Sequence, residues 1–147
     1  MKAKEEYQKL ENQICFSLYA ASRLVTKCYK PLLKDFEITY PQYLVLLVLW
    51  EQEAVSLNFI AEKLLLQSNT LTPLVKRMEE LELLTRTKSH MDERSIIISL
   101  AEKGRAIKDA AIDLPFELVS GFNFSMEEIT MLKTLLDKLV NNLNDDQ

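Results

Sequence analysis

Residues 66–100, LQSNTLTPLVKRMEELELLTRTKSHMDERSIIISL, decide the fold of this chain. Leu71, Leu74, Val75, Met78 and Leu81 follow a 3.6-residue period and predict an amphipathic helix. Its other side carries Asn69, Thr72 and Pro73, then Lys76 and Arg77. Short polar groups for base edges, followed by cations for phosphates, are what a helix in a major groove requires. Leu84–Lys88 and Ser95–Ser99 are rich in β-branched residues and alternate in part, so they predict two strands. Ser89–Arg94 forms a polar tip between them. Helix, hairpin and charged tip together predict a winged helix-turn-helix and hence a DNA-reading surface. The same pattern also occurs in small α+β domains, where Lys76 and Arg77 would be an ordinary solvated face.

The 147 residues suit one domain or one protomer of an intertwined oligomer, with 48% hydrophobic residues supplying a core. Only two glycines and four prolines favour long helices over a turn-rich β fold. No apolar run is long enough to span a bilayer and no N-terminal signal pattern occurs, so a cytoplasmic location is expected. One His and two Cys without paired spacing predict neither a metal site nor a cofactor, and in that compartment Cys15 and Cys28 are expected as thiols. The net charge of −4 is unevenly spread: residues 1–40 carry +2, 41–101 carry −2 and 102–147 carry −4. Any DNA footprint is therefore local, and a dimer would double it. Glu80 falls on the polar face of the helix beside Lys76 and Arg77, and no pattern in the sequence accounts for it.

Outward from this stretch, residues 5–34 read as one long helix. Ile14, Leu18, Ala21, Val25, Cys28 and Leu32 form a heptad seam along it, with Cys28 a buried small hydrophobe. Cys15 lies one step off the seam, on the flank of Glu11, Tyr19, Ser22 and Tyr29. It reads either as an inert, partly buried thiol or as a sensor whose neighbouring phenols favour the reactive thiolate by hydrogen bonding. Tyr29 is fourteen residues further on, roughly 21 Å along a helix, so the two could meet only across subunits. The similar Cys15-to-Cys28 distance excludes an intrachain disulfide within an intact helix.

Thr39-Tyr-Pro-Gln42 has capping-box spacing and opens a helix that buries Leu44, Leu47 and Val48 and ends near Trp50. Ser56 caps the next helix, with Leu57, Ile60, Ala61, Leu64 and Leu65 as its apolar stripe; Ser68, Asn69 or Thr70 caps the recognition helix. Ser99-x-x-Glu102 predicts a helix into Asp113, bent or interrupted by Pro115, and Ser125-x-x-Glu128 predicts the last one. In that last helix Ile129, Leu132, Leu136, Leu139 and Leu143 form a second heptad seam, before a tail, Asn144–Gln147, expected to fray. The fold class expected is mainly α with a small β-wing. A winged helix-turn-helix occupies 39–101, and 5–34 and 102–144 are dimerisation helices of a single 1–147 protomer.

The chain resembles the MarR family of bacterial regulators, and within it the one-cysteine organic-hydroperoxide repressors and the related staphylococcal redox regulators. Leu10–Ala20 (LENQICFSLYA), Tyr29–Leu33, Ile38–Tyr43, Thr70–Leu74, Lys76–Glu79 and Asp92–Ser95 carry the resemblance, which covers nearly the whole chain. It implies a homodimer on a double-stranded operator. Ser68, Asn69, Thr70, Thr72, Lys76 and Arg77 would face the major groove; Arg86 and Lys88 would belong to the DNA surface. Arg94 would enter the minor groove, oriented by Asp92. Cys15 would be the peroxidatic thiol, in a pocket built by Tyr19, Tyr29 and Tyr40 partly from the other subunit. Two departures stand out. Relatives read Leu-Asp-Ser-Gly-Thr where this chain has Leu66-Gln-Ser-Asn-Thr70, which removes a helix N-terminal charge and adds a side chain near DNA. No cysteine follows Cys28 to resolve an oxidised Cys15, so a small thiol would cap it, or it would overoxidise.

The expected mechanism is repression by the reduced dimer, with release of DNA once Cys15 is oxidised to a sulfenate and then to a mixed disulfide or higher oxide. The chain is expected not to be an enzyme. Alternatives are a MarR-type regulator sensing a phenolic or hydrophobic ligand, a global redox and virulence regulator using the same thiol on many promoters, a thiol peroxidase, and a dimeric adaptor without DNA binding.

Overall fold

The computed structural model describes residues 2–145. Its elements form two compact units, divided between Ala111 and Ile112. In the first, α1 (Lys2–Glu6) and a 3-10 turn (Leu10–Asn12) precede α2 (Ile14–Leu33), and a second 3-10 turn (Lys34–Phe36) leads to α3 (Tyr40–Glu51). Then follow β1 (Ala54–Ser56), α4 (Leu57–Leu64), α5 (Ser68–Glu80), β2 (Leu84–Lys88), β3 (Ile96–Leu100) and α6 (Glu102–Ala110).

The single helix expected over 5–34 is broken ahead of Ile14. Asn12 Nδ2 donates to the Glu6 carbonyl at 2.8 Å, and the Gln13 amide donates to the Tyr7 carbonyl. These amides take carbonyls that a continuous helix would use, and Gln13 is extended at φ −89° and ψ 112°. Cys15 thus stands in the first turn of α2 rather than mid-helix. The seam on α2 is only partly covered within the chain. Leu18, Val25 and Leu32 are half-buried, while Ile14 and Cys28 are exposed, contrary to the buried Cys28 expected.

The capping box at α3 forms: the Thr39 N–H donates to Gln42 Oε1 at 2.9 Å, and Gln42 is buried. The buried face differs from the expected one. Tyr43, Val45, Leu46 and Leu49 are inside; Leu44 and Val48 are half-buried and Leu47 is exposed. An almost wholly apolar helix has no periodicity from which to choose a face, so its neighbours choose.

Ser56 caps α4 as expected, its Oγ accepting from Phe59 N–H at 3.1 Å. Leu65 leaves the apolar stripe: it ends the helix in the left-handed region, φ 53°, and is exposed. Helix α5 starts one residue before any expected cap, with Gln67 at the N-cap, so Pro73 lies in its second turn.

The sheet has three strands in the order β1-β3-β2, all antiparallel. Strand β1 is too short to show alternation, so only the hairpin was legible. Strand β3 begins at Ile96 because the Ser95 N–H is used inside the turn, donating to the Asp92 carbonyl at 2.9 Å. The register runs from Leu84↔Leu100 to Lys88↔Ile96. Ile60, Leu71, Val75, Met78 and Ile98 are fully buried, joining α4, α5 and the sheet in one core. Each such side chain stabilises the fold by ~1.5–3 kcal/mol, an upper range for complete burial. They hold the polar face of α5 outward.

Ser99 lies in β3 and cannot cap α6; Ala101 takes that place, donating to the Leu83 carbonyl at 3.1 Å. The helix expected to run into Asp113 ends at Ala110, and the chain is interrupted there as expected, with Pro115 in the first turn of a separate helix. The second unit holds α7 (Leu114–Ser120) and α8 (Met126–Asp145). The capping box there is present in both directions: Ser125 N–H to Glu128 Oε2 at 2.7 Å, and Glu128 N–H to Ser125 Oγ at 3.2 Å. No described residue of α8 is buried, and Leu132, Leu139 and Leu143 of its seam are exposed. Of the tail expected to fray, Asn144 and Asp145 are helical, and Asp146 and Gln147 lie outside the described residues.

Candidate functional site

Two groups of candidate residues lie in the first unit. On α5, Ser68, Asn69, Thr70, Thr72, Lys76 and Arg77 are all exposed, opposite Leu71, Val75 and Met78, which are fully buried. Thr72 Oγ1 donates to the Ser68 carbonyl at 2.7 Å. Arg77 Nη1 meets Glu80 Oε2 at 2.8 Å, which supplies the partner Glu80 lacked in the sequence. Both are well exposed, so the pair adds little to stability and opens easily for another anion. Lys76 forms no ion pair among the described residues.

The wing tip is organised by its own hydrogen bonds. Ser89 N–H donates to the Ser95 carbonyl at 2.8 Å, and Met91 N–H to Ser89 Oγ at 3.2 Å. Asp92 Oδ1 accepts from the Arg94 backbone N–H at 3.0 Å. Asp92 therefore shapes the turn that presents Arg94, while the Arg94 guanidinium forms no ion pair among the described residues. Lys88, Asp92 and Arg94 are exposed.

Arg86 differs from the other candidates. Glu79 Oε1 accepts from its backbone N–H at 2.9 Å and Glu79 Oε2 from its Nε at 2.9 Å. These donors hold the Glu79 carboxyl below the usual carboxylate range, the side-chain bond being the larger cause. Sequence reading missed this clamp. Leu84 and Arg86 share one sheet face by alternation, and Leu84 is buried, so Arg86 leans toward the core side.

The second group surrounds α2. Cys15 is exposed. Tyr19 is exposed as well; its hydroxyl accepts from Arg23 Nη1 at 2.8 Å. Tyr29 is buried, and its ring stacks on Tyr40 at 4.5 Å between centroids and lies 5.6 Å from Tyr43. Tyr43 meets Trp50 edge-on at 6.0 Å, and Trp50 Nε1 donates to the Gly104 carbonyl at 3.0 Å. Burial pushes the Tyr29 phenol up to about 12, with Tyr40 and Tyr43 adding to the shift; burial also raises Tyr40 and Tyr43. Tyr29 and Tyr40 are thus brought together, but Cys15 is not: it lies on the same unbroken α2 as Tyr29, roughly 21 Å away. Cys28, also exposed, is roughly 20 Å from Cys15 along α2, too far for a disulfide within the chain.

A broad cleft of about 1460 Å³ runs beside α2, lined by Phe16, Tyr19, Arg23, Lys27, Lys30 and Tyr40 among others. No cluster of metal-ligating side chains occurs among the described residues, and no described helix is long and apolar enough to cross a membrane.

Comparison with known proteins places this geometry. The model of the family described as "Transcriptional regulator SarA/Rot" matches residues 27–111. The organic hydroperoxide resistance transcriptional regulator of Bacillus subtilis is 49% identical over 144 residues, 98% of each chain. The regulator MgrA of Staphylococcus aureus is 35% identical over 136 residues, 92% of each chain. Among solved structures, reduced AbfR bound to DNA superposes with a TM-score of 0.78 at 39% identity, covering 97% of this chain and 99% of that one. AbfR is a protein of Staphylococcus epidermidis. Its overoxidised form, also bound to DNA, gives 0.76 at 40% identity over 95% and 98% of the two chains. Its disulfide form gives 0.63 at 40% identity over 98% and 96%. The chain belongs to the winged-helix transcriptional regulators of the MarR/SarA type.

Proposed function

We propose that this protein is a homodimeric repressor that binds a double-stranded DNA operator when reduced and senses organic hydroperoxides through Cys15. The observation that carries the reading is the 49% identity, over 98% of both chains, with a regulator named for organic hydroperoxide resistance. In a chain of this length α2 and α8 each present an apolar seam, and we assign dimerisation to 5–34 and 102–144 on that ground. The polar face of α5 would enter the major groove, and Arg94 the minor groove. Cys15 of one protomer would meet Tyr29 and Tyr40 of its partner, because within one chain α2 itself holds them apart. No chemical turnover is assigned to the protein, and its place is the cytoplasm, beside its DNA.

The chemistry balances without a cofactor. The Cys15 thiolate attacks the distal peroxide oxygen; the O–O bond breaks, sulfur is oxidised to a sulfenic acid and the peroxide is reduced to its alcohol. A small thiol then attacks the sulfenic sulfur, giving a mixed disulfide and water. The relative AbfR is on DNA in its reduced and in its overoxidised form. This favours the disulfide, and not a higher oxide, as the state that releases DNA. Its bulk would disturb the partner's tyrosines and take the two recognition helices out of register with successive grooves. The match to MgrA favours a second reading, in which the same thiol serves many promoters.

The test is an anisotropy titration on the DNA upstream of the protein's own gene. Wild type and Cys15→Ser are compared reduced, and again after an organic hydroperoxide with a small thiol. Both bind when reduced, and only wild type is released. Release of Cys15→Ser, or tight binding of wild type whatever the oxidant, rejects the thiol switch; the latter outcome moves attention to a ligand in the α2 cleft.

A further inference from the structure

We infer that Glu79 and Arg86 form a positioning pair that sets the wing against the recognition helix, and that Arg86 serves DNA binding through this pair and not by contacting a phosphate. The inference rests on the DNA-binding reading above.

Among the described residues, the geometry distinguishes this pair from the other ion pairs. Glu79 stands in the last turn of α5, three residues after Lys76, and Arg86 is the middle residue of β2. Each carboxylate oxygen takes a different part of Arg86: Oε1 the backbone N–H and Oε2 the side-chain Nε, both at 2.9 Å. A side-chain pair alone would let the strand slide. Gripping the backbone as well fixes the strand's position and the direction of its side chain together. Their side chains are 25% and 36% exposed, against 62% and 54% for Arg77 and Glu80, so water and salt compete less for them. On its other side Arg86 is registered against Ile98, which is fully buried, so the clamp ties into the core of the sheet.

The consequence follows from leverage. Lys88 is two residues beyond Arg86, roughly 7 Å along the strand, and the turn bearing Arg94 lies farther out. A small rotation of β2 about its base would swing the wing tip by more than it moves Lys88. The two surfaces must engage neighbouring grooves at the same time, so the angle between them contributes to affinity. With its charge matched by Glu79, Arg86 adds little to the positive field that draws in phosphate.

Full-length protein is titrated with its own upstream DNA and with a scrambled duplex, over a range of salt. Wild type must prefer the upstream DNA; if it binds neither, the DNA-binding reading itself has failed and the pair is not at issue. Given that preference, Glu79→Gln and Arg86→Ala are each expected to weaken upstream binding about tenfold, a typical loss for one charge-assisted hydrogen bond. Neither should change the slope of log affinity against log salt, which counts phosphate contacts. The double variant should lose no more than either single one, because the two residues act as a unit. Lys88→Ala, the reference for a phosphate contact, removes one such contact from each protomer and should flatten the slope by about 1.8 for the dimer. Should either variant lose its thermal transition, Glu79→Asp, which keeps the charge but shortens the reach, carries the same comparison. Flattening of the slope by Arg86→Ala would assign Arg86 to a phosphate, and unchanged upstream affinity in Glu79→Gln would remove the clamp from DNA binding; either result overturns the inference.

Discussion

Tyr29 and Tyr40 stack with their ring centroids 4.5 Å apart, joining the C-terminal half of α2 to the first turn of α3. Cys15 stands at the other end of α2, so within one protomer the thiol and the paired phenols are apart, and in the proposed dimer they would form the two halves of one site. Facing protomers would complete it twice. Removing a hydroxyl while keeping the ring tests this without disturbing the stack. Tyr29→Phe and Tyr40→Phe should slow oxidation of Cys15 by an organic hydroperoxide by about tenfold each, the loss of one hydrogen bond to a charged group. Reduced protein should bind DNA as before. Stopped-flow kinetics of the thiol measure the rate, and unchanged rates in both variants would remove the tyrosines from the pocket.

The same phenol predicts an alkaline transition. Tyr29 titrates at about 12 in the folded chain against 10.0 in its ordinary state. Between these values the unfolded chain has lost a proton that the folded chain retains, so stability falls as pH rises. The contribution is complete below about pH 10 and is lost progressively toward pH 12. Thermal melting across this window should show a falling midpoint, and Tyr29→Phe should shallow the fall. An identical pH profile in the variant would mean that other groups dominate.

Much of this is legible in the sequence. The α5 stripe and the hairpin are strong local patterns, and the candidate polar residues follow from being on the other face. What escaped depended on long-range partners. The three residues of β1 acquire their identity from Ser99, Ile98 and Ile97 across the ladder. The buried face of α3 is chosen by its neighbours, since Leu44–Leu49 is apolar throughout. The Glu79–Arg86 clamp crosses from helix to strand, where no fixed residue spacing holds. The break before Ile14 turned on two side-chain amides, Asn12 and Gln13, competing with the backbone for carbonyls.

The polar residues of α5 should divide by role. Lys76→Ala, removing from each protomer a cation without an ion pair among the described residues, should weaken binding to any duplex and flatten the salt dependence by about 1.8 for the dimer. Asn69→Ala should leave that slope alone and change which base pairs are preferred, because an amide reads base edges. Competition binding with a randomised operator library separates the two effects. A changed base preference in Lys76→Ala, or a changed slope in Asn69→Ala, would exchange the assignments.

Gly104 predicts where the winged unit is least tolerant. A Cβ built there would stand 2.2 Å from the Leu83 carbonyl oxygen and 2.9 Å from Leu100 Cδ1. The first contact is with backbone and cannot be relieved by a rotamer change. That carbonyl also accepts the Ala101 N–H, and the Gly104 carbonyl accepts from Trp50 Nε1, so α6 cannot retreat without loosening both bonds. Gly104→Ala gains about 1 kcal/mol of helix propensity. Displacing α6 in a well-packed core costs typically 1–3 kcal/mol, occasionally more. The clash should win: the thermal midpoint is expected to drop by several degrees, and Trp50 fluorescence to shift red as its hydrogen bond opens. A midpoint equal to or above wild type would show that α6 can move away from β2 at little cost.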